Sequence, residues 1–211
     1  AQAAYGVFLI PFLGALLGIE TVVSFVSSDM FLPLTVSALL MTAFALLMSV
    51  THLGKPFRFY RGFNNLRYSP MAREGLGLAL FSAGCGLTAL FALPSNQWLT
   101  ELSQEYLDLN IVELTQGLPL ADLVQGAGIF ALIAGFVGLF YMNKCYQIKA
   151  RPFWNHLQTA TAFFGNSLSL GAFVGGVIVI STLLIQEKNI ETATTVFATA
   201  FIVGMLIEGL G

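Results

Sequence analysis

The residues best suited to chemistry are concentrated in one short stretch, residues 52–74, between two long apolar runs. It holds five of the chain's nine Lys and Arg residues and one of its two histidines. His52 and Glu74 stand at its two ends. A histidine near its ordinary pKa can accept a proton at neutral pH, and a carboxylate can relay it to water. Beside a pocket open to lipid, this pair would suit the oxidation of a quinol, whose hydroxyls lose protons as electrons leave.

The composition indicates an integral membrane protein. Only 9% of the 211 residues are charged, 56% are hydrophobic, and the mean hydropathy is +0.80, whereas a soluble domain carries about 25% charged residues. The apolar runs are continuous rather than alternating, which favours helices over a β-barrel. The net charge of −2 gives no reason to expect a nucleic-acid partner.

Six runs are long enough to cross a bilayer, since a spanning helix needs about 20 apolar residues. They cover residues 5–27, 32–53, 74–94, 122–143, 159–186 and 192–211. We therefore predict an all-α transmembrane bundle that forms a single domain over residues 1–211. Many glycines lie inside these runs, Gly14 and Gly18 among them, and we expect them to allow close helix packing. Because the last run reaches Gly211 without a polar flank, the native chain is expected to continue.

The charged residues divide between the two sides of the predicted bundle. The 54–73 and 144–158 loops share one side and hold eight of the nine basic residues. The segments predicted on the other side are mainly acidic, and Lys188 is their one basic residue. By the positive-inside rule, the basic loops face the cytoplasm. The 95–121 segment on the acidic side is predicted to include a short surface helix.

Local signals divide the 52–74 segment into three parts. Gly54 and Pro56 end the second spanning helix. Arg58 and Arg61, three residues apart, would lie on one face of a short interfacial helix. Ser69 then reads as the N-cap of the third spanning helix, with a proline in its first turn.

A tight loop between these two spanning helices would bring His52 and Glu74 near each other at one membrane level. Arg73 precedes Glu74 and could pair with it or with a carboxylate of a partner protein. The simpler interpretation is that the histidine is an interfacial anchor and that the arginines extend to lipid headgroups.

Two blocks of the sequence resemble the dimethyl sulfoxide reductase membrane anchor subunit family. The first comprises Thr51-His52-Leu53-Gly54-Lys55-Pro56, Arg58, Arg61, Asn65-Leu66-Arg67, Ser69 and Arg73-Glu74. The second comprises Ala150-Arg151-Pro152-Phe153-Trp154-Asn155 and Ala162-Phe163-Phe164-Gly165. They cover about 40 and about 20 residues; elsewhere only the helix spacing agrees.

The resemblance implies a subunit without haem that oxidises menaquinol. His52 would be the quinol-binding histidine and Glu74 the acidic residue near it, with Gly54, Arg58, Arg61 and Arg73 completing the site. Electrons would pass to an iron–sulfur subunit docked on the 54–73 and 144–158 loops, and then to a molybdenum catalytic subunit. Members of the family usually have eight spanning helices, two more than are counted here.

The resemblance and the charge distribution disagree about the membrane side. In exported members of the family the quinol-binding side faces the periplasm, whereas the charge bias places the basic loops inside. Two explanations stay open: a relative that faces the cytoplasm, or basic loops that dock a partner and so break the rule. The predicted location is the bacterial inner membrane, with the basic loops cytoplasmic.

Four further residues are weaker site candidates: Trp154, His156, Glu208 and Glu20. His156, beside Trp154, shares the side of His52, and two histidines there would also allow a bis-histidine haem. We interpret His156 instead as an interfacial anchor. Glu208 lies in an apolar run, where ionisable groups are costly and often functional, and would be near the quinol pocket. Glu20 also lies in an apolar run, nearer the acidic side.

Two alternatives keep the same fold. The pocket could work in reverse and reduce quinone, or the protein could be a structural anchor without quinone contact. A transporter is disfavoured because the centres of the second to fifth runs carry no charged residue. The terminal substrate depends on a catalytic subunit and is not predicted.

Overall fold

The computed structural model describes residues 1–25, 30–51, 54–148, 150 and 152–210, with the backbone alone at residues 24 and 25. Nearly all the described chain is helical, and no strand occurs within it. The α-helices are α1 (Gln2–Leu16), α2 (Glu20–Phe25), α3 (Phe31–Thr51), α4 (Pro70–Ala92), α5 (Gln97–Leu107), α6 (Ile111–Leu114), α7 (Leu120–Tyr146), α8 (Leu157–Ile185) and α9 (Glu191–Gly209). The predicted all-α membrane bundle is confirmed.

Among the described residues, five helices are long and apolar enough to cross a membrane, namely α3, α4, α7, α8 and α9. They correspond to the last five of the six predicted runs. The first run needs a correction, because α1 has only 15 residues. At 1.5 Å per residue it is about 22 Å long, against a hydrocarbon thickness of roughly 30 Å.

The first run is interrupted at Gly18, which has a φ of +67°. The Ile19 N–H donates to the Gly14 carbonyl at 3.0 Å and the Gly18 N–H donates to the Ala15 carbonyl at 3.0 Å. This pair of hydrogen bonds is the Schellman ending of a helix, which favours glycine. Gly18 therefore ends α1 and is not a packing residue. Glu20 begins α2 and is exposed, so it does not lie inside a spanning helix.

Small residues bring the helices into close contact, as predicted. On the α4–α7 contact, a Cβ atom added to Gly77 would lie 2.6 Å from the Gly138 backbone, and one added to Gly84 would lie 2.7 Å from the Ala131 Cβ. The absence of a side chain at both positions of α4 is thus what lets the two backbones approach. Glycines also allow close contact in two more helix pairs. α1 and α8 meet at Gly6 and Gly171, and α8 and α9 meet at Gly165 and Gly204.

Although it is short, α1 lies at the centre of the bundle. It is apolar all round, as expected of a buried helix, and packs on α3, α7 and α8. Tyr5, Phe8 and Phe12 on α1 and Phe81 on α4 form a cluster of aromatic rings with centroids 5.2 to 5.8 Å apart. The Tyr5 hydroxyl donates to the Leu132 carbonyl at 3.2 Å, so its polar group is satisfied in the core.

The beginning of α4 and the end of α7 lie at one end of the bundle, where Arg73 contacts Tyr141 and Glu74 contacts Cys145. This end therefore carries both segments that connect the spanning helices there, residues 54–69 and 147–156, and we call it the basic end. At the opposite end, α5 confirms the predicted short helix. Asn96 begins α5 and accepts from the Leu99 N–H at 3.0 Å.

Candidate functional site

The local structure of the 52–74 segment agrees with its sequence signals. α3 ends at Thr51, and a 3-10 helix then runs from Pro56 to Asn65. α4 begins after Ser69, whose Oγ accepts from the Ala72 N–H at 3.2 Å, which confirms the predicted cap. His52 and Leu53 lie outside the described residues, so the placement of the key histidine stays a prediction.

The 3-10 helix lies where the short interfacial helix was predicted. Its geometry places its side chains on separate faces. Residues three apart share a face because a 3-10 helix has three residues per turn. Arg58 and Arg61 therefore lie together on one face, and both are exposed. Phe59 and Gly62 share another face, which borders a cavity.

This cavity, of about 280 Å³, lies between the end of α3, the 3-10 helix and the beginning of α4. It is mainly apolar, with two hydroxyl-bearing residues. Its lining comprises Leu46, Ser49 and Val50 of α3, Phe59, Gly62 and Phe63 of the 3-10 helix, and Ser69, Met71, Ala72, Gly75 and Ala79 at or in α4. Val50, in one wall of the cavity, is two positions before the predicted quinol-binding histidine in the sequence.

Glu74 faces away from this cavity. Its Oε2 accepts from the Cys145 Sγ of α7 at 3.5 Å, and the carboxylate is half-buried in the α4–α7 contact. The α4 residues that line the cavity, such as Met71 and Gly75, lie on the side turned to α3. The structure thus brings Glu74 to α7, whereas its predicted proximity to His52 is not tested.

Arg73 is held by the protein's own residues. Its Nε donates to the Leu66 carbonyl at 2.6 Å, and its Nη2 donates to the Arg67 carbonyl. Its Nη1 donates to the Tyr141 hydroxyl at 3.3 Å, and its guanidinium carbon lies 5.1 Å from the centre of the Tyr141 ring. Within the described residues, the partners of the guanidinium are therefore loop carbonyls and a tyrosine, and pairing with a carboxylate of a partner protein stays a prediction. Adjacent side chains on a helix do not face each other, so Glu74 is poorly placed to pair with Arg73.

Two of the weaker candidates, Trp154 and His156, lie between the end of α7 and the beginning of α8. The Trp154 ring packs on Tyr146 with centroids 5.7 Å apart. His156 is exposed and begins α8 as its N-cap, since its Nδ1 accepts from the Gln158 N–H at 3.2 Å. An exposed cap agrees with the interpretation of His156 as an anchor at the helix end.

Glu208 lies near the end of α9, against α8. A Cβ atom added to Gly165 would lie 2.6 Å from the backbone nitrogen of Glu208. Gly165 is in the third turn of α8, so Glu208 is located toward the basic end, as predicted. Its role in a proton relay stays a prediction. Among the described residues, no group of three His, Cys, Asp or Glu side chains could hold a metal ion.

Tyr141 and Cys145 are the residues near the site that sequence reasoning missed. They lie one helical turn apart on α7, so they share the face that contacts α4. In the sequence, a hydroxyl and a thiol four residues apart near a helix end give only a weak indication of a functional site. Only the partners, which are 68 and 71 positions away in sequence, reveal what the two side chains contact.

The five long apolar helices among the described residues define a multi-pass membrane protein. Residues 1–210 match the family described as "DMSO reductase anchor subunit (DmsC)". The protein belongs to this DMSO reductase anchor subunit family, and the resemblance noted in the sequence is confirmed.

A curated relative gives the same family. The sequence is 27% identical over 165 residues to one subunit of the anaerobic dimethyl sulfoxide reductase of Haemophilus influenzae, and the match covers 77% of the residues here. It covers 48% of the relative, so the protein spans about half the length of that subunit. No solved structure matches the sequence.

Proposed function

We propose that this protein is the quinol-oxidising membrane subunit of a multi-subunit oxidoreductase of the dimethyl sulfoxide reductase type. The observation that carries the proposal is the cavity between α3, the 3-10 helix and α4, because Val50 in its α3 wall is only two positions before His52 in the sequence. A mainly apolar cavity with a few polar groups at one edge is what a small ligand with a polar head group requires.

The size of the cavity suits a head group alone. At about 280 Å³ it is at the lower edge of the range of roughly 300–1,000 Å³ found for ligand sites. The apolar tail of a quinol would then remain outside, on the lipid-facing surface of α3. Leu40, Phe44 and Leu47 are 60 to 64% exposed there.

The chemistry is a transfer of two electrons and two protons. A quinol becomes a quinone when it loses two hydroxyl protons and two electrons. His52 accepts the first proton as a neutral imidazole and passes it on, and is then free to take the second. Glu74, on the α7 side of α4, serves as the carboxylate that relays these protons toward water. The electrons leave to an iron–sulfur subunit, which feeds a molybdenum catalytic subunit.

Further residues of the 52–74 segment would contribute to binding the quinol head group. Gly54 lies between His52 and the 3-10 helix with nothing within 4 Å of its Cβ position, so a ligand can approach its backbone. Arg58 and Arg61, on a neighbouring face of the same 3-10 helix, add positive charge at this end of the bundle, which favours an oxygen that carries negative charge as a proton leaves. The family resemblance indicates menaquinol as the substrate.

The basic end is the proposed docking surface for the iron–sulfur subunit, through the 54–73 and 144–158 loops. Lys55, Arg58, Arg61 and Lys144 are exposed there. Phe57 and Phe153 are 93% and 88% exposed, which is unusual for aromatic side chains unless a partner or a membrane covers them. In a bacterial inner membrane, the positive-inside rule directs this end to the cytoplasm.

Replacement of His52 by alanine tests the proposal in the assembled complex. His52→Ala is expected to reduce turnover driven by a menaquinol analogue by at least about 100-fold, because the proton acceptor is lost. Turnover driven by a reduced dye that feeds the partner subunits directly should be unchanged. His156→Ala is the matched control, since this histidine caps α8, and it should keep both activities.

Two outcomes separate the alternatives. Full quinol-driven turnover in His52→Ala would contradict the site assignment. If quinol also failed to reduce the iron–sulfur clusters of the unmodified complex, the protein would be a structural anchor. The direction of electron flow is measured by offering quinone to the complex with its clusters reduced.

A further inference from the structure

The guanidinium of Arg73 joins three parts of the molecule at the basic end. It belongs to the first turn of α4, its Nε and Nη2 donate to the carbonyls of Leu66 and Arg67, and its Nη1 reaches Tyr141 of α7. Both Arg73 and Tyr141 are half-buried. A charged donor that is shielded from water forms stronger hydrogen bonds than an exposed one.

The two carbonyls lie where the 3-10 helix ends. Leu66 directly follows Asn65, the last residue of that helix. Carbonyls at the end of a helix have no partner within it, and a cation there is favourable. Arg73 therefore caps the 3-10 helix from outside and fixes the turn that leads to Ser69 and α4.

Tyr141 of α7 holds the Arg73 guanidinium in place through its hydroxyl. It lies three residues after Gly138, where the backbones of α4 and α7 are in close contact at Gly77. The cap is thus tied to the part of α7 that packs closely on α4.

We infer that Arg73 and Tyr141 are positioning residues for the quinol site, which act by holding the 3-10 helix as the wall of the cavity. This inference rests on the proposed function, and it gives Arg73 a different role from direct contact with the quinol. The wall residues Phe59, Gly62 and Phe63 belong to the 3-10 helix whose end is capped, so a loosened cap moves the wall.

Lysine cannot replace Arg73 in this arrangement. The three contacts use three different nitrogens of a planar fork, whereas a lysine ammonium offers one nitrogen. Charge alone is therefore insufficient, and Arg73→Lys tests geometry at constant charge. Tyr141→Phe removes the hydroxyl and keeps the ring, and Tyr141→Leu removes both. Phe140→Leu is the matched control, because it removes the neighbouring ring and no contact with Arg73.

The variants are compared in the assembled complex by quinol-driven kinetics. Arg73→Lys and Tyr141→Leu are expected to raise the KM for a menaquinol analogue about tenfold, since a wall displaced by an ångström costs this much or more. The kcat should change less than about threefold, because the proton acceptor is intact. Tyr141→Phe should raise KM about threefold, and Phe140→Leu should leave KM unchanged.

Amide hydrogen exchange of residues 57–65 in the same complexes supplies a second readout that does not depend on turnover. We expect exchange about fivefold faster in Arg73→Lys and Tyr141→Leu and unchanged in Phe140→Leu. Faster exchange together with a raised KM supports the inference. An unchanged KM overturns it, whether or not exchange is faster, and so does a fall in kcat at constant KM.

The two proposals can fail separately. If His52→Ala abolishes quinol-driven turnover while Arg73→Lys leaves KM unchanged, the positioning inference is wrong and the quinol site stands. If His52→Ala has no effect, the quinol site itself is wrong.

Discussion

The two faces of α4 differ in how closely the neighbouring helix approaches them. On the face toward α7, a Cβ atom on Gly77 would come 2.6 Å from the Gly138 backbone. On the face toward α3, a Cβ atom on Gly75 would find only Phe63, at 3.9 Å. The two glycines are two positions apart, yet one makes a close contact and the other borders a cavity. α4 is thus fixed to α7 on one side, which leaves space for a ligand on the other.

The polar side chains follow the same division. Arg73 and Glu74 both bond to α7 or to the loop, on the closely packed side. The cavity side offers the hydroxyls of Ser49 and Ser69 among apolar residues. A rigid support behind a mainly apolar cavity is a suitable arrangement for an enzyme site, because the ligand then meets walls that are already in place.

The strongest test of this comparison is the same small substitution on each face. Gly77→Ala should destabilise the protein by about 2–3 kcal/mol, since its methyl group would overlap the α7 backbone. Gly75→Ala should be neutral or stabilise by up to about 1 kcal/mol, because there is space and alanine favours a helix. The measurement is thermal unfolding in detergent. Equal Tm values for the two variants would contradict the division into a packed face and an open face.

A larger side chain at Gly75 should affect the ligand more than the fold. Gly75→Leu extends into the cavity and is expected to raise the KM for a menaquinol analogue about tenfold, about 1.4 kcal/mol, with little change in Tm. Gly86→Leu is the control, because Gly86 also lies on α4 with Leu39 of α3 as its nearest neighbour, at 4.0 Å, and lies away from the cavity. Equal KM values in the two variants would mean that the cavity does not hold the head group.

The smallest effect is expected at the thiol that contacts Glu74. Cys145→Ala removes a weak S–H donor at 3.5 Å, so it should lower stability by no more than about 0.5–1 kcal/mol. Cys145→Ser retains a donor and should behave more like the unmodified protein. Both are measured by thermal unfolding. A large loss of stability in Cys145→Ser would indicate that the thiol matters for packing instead of hydrogen bonding.

Local signals in the sequence were sufficient for most of the fold. The cap at Ser69, the stop before Pro56 and the short helix after it follow from neighbouring residues, so they could be predicted without the structure. The break at Gly18 was missed because apolar residues continue on both sides of it. A glycine within such a run can pack or end a helix, and only the backbone conformation distinguishes the two.

The site was predicted less completely, because it depends on the rotation of α4 about its own axis. Glu74 was expected to share a hollow with His52, and Arg73 to belong to the same site; both have partners toward α7, and their proximity to His52 stays a prediction. Their neighbours in sequence contain no information about which side of α4 would meet α7. Tyr141 was not singled out at all, because its partner is 68 positions away.

The sequence by itself determined the membrane class, the family and the order of the helices, because these follow from hydrophobic runs, charges and short motifs. The tertiary structure decided which face of α4 is packed and which is open. The physical reason is that the close contact at Gly77 and Gly138 requires two distant glycines to meet, and this contact fixes the rotation of α4. That rotation in turn directs Arg73 and Glu74 to α7 and leaves the cavity beside α3.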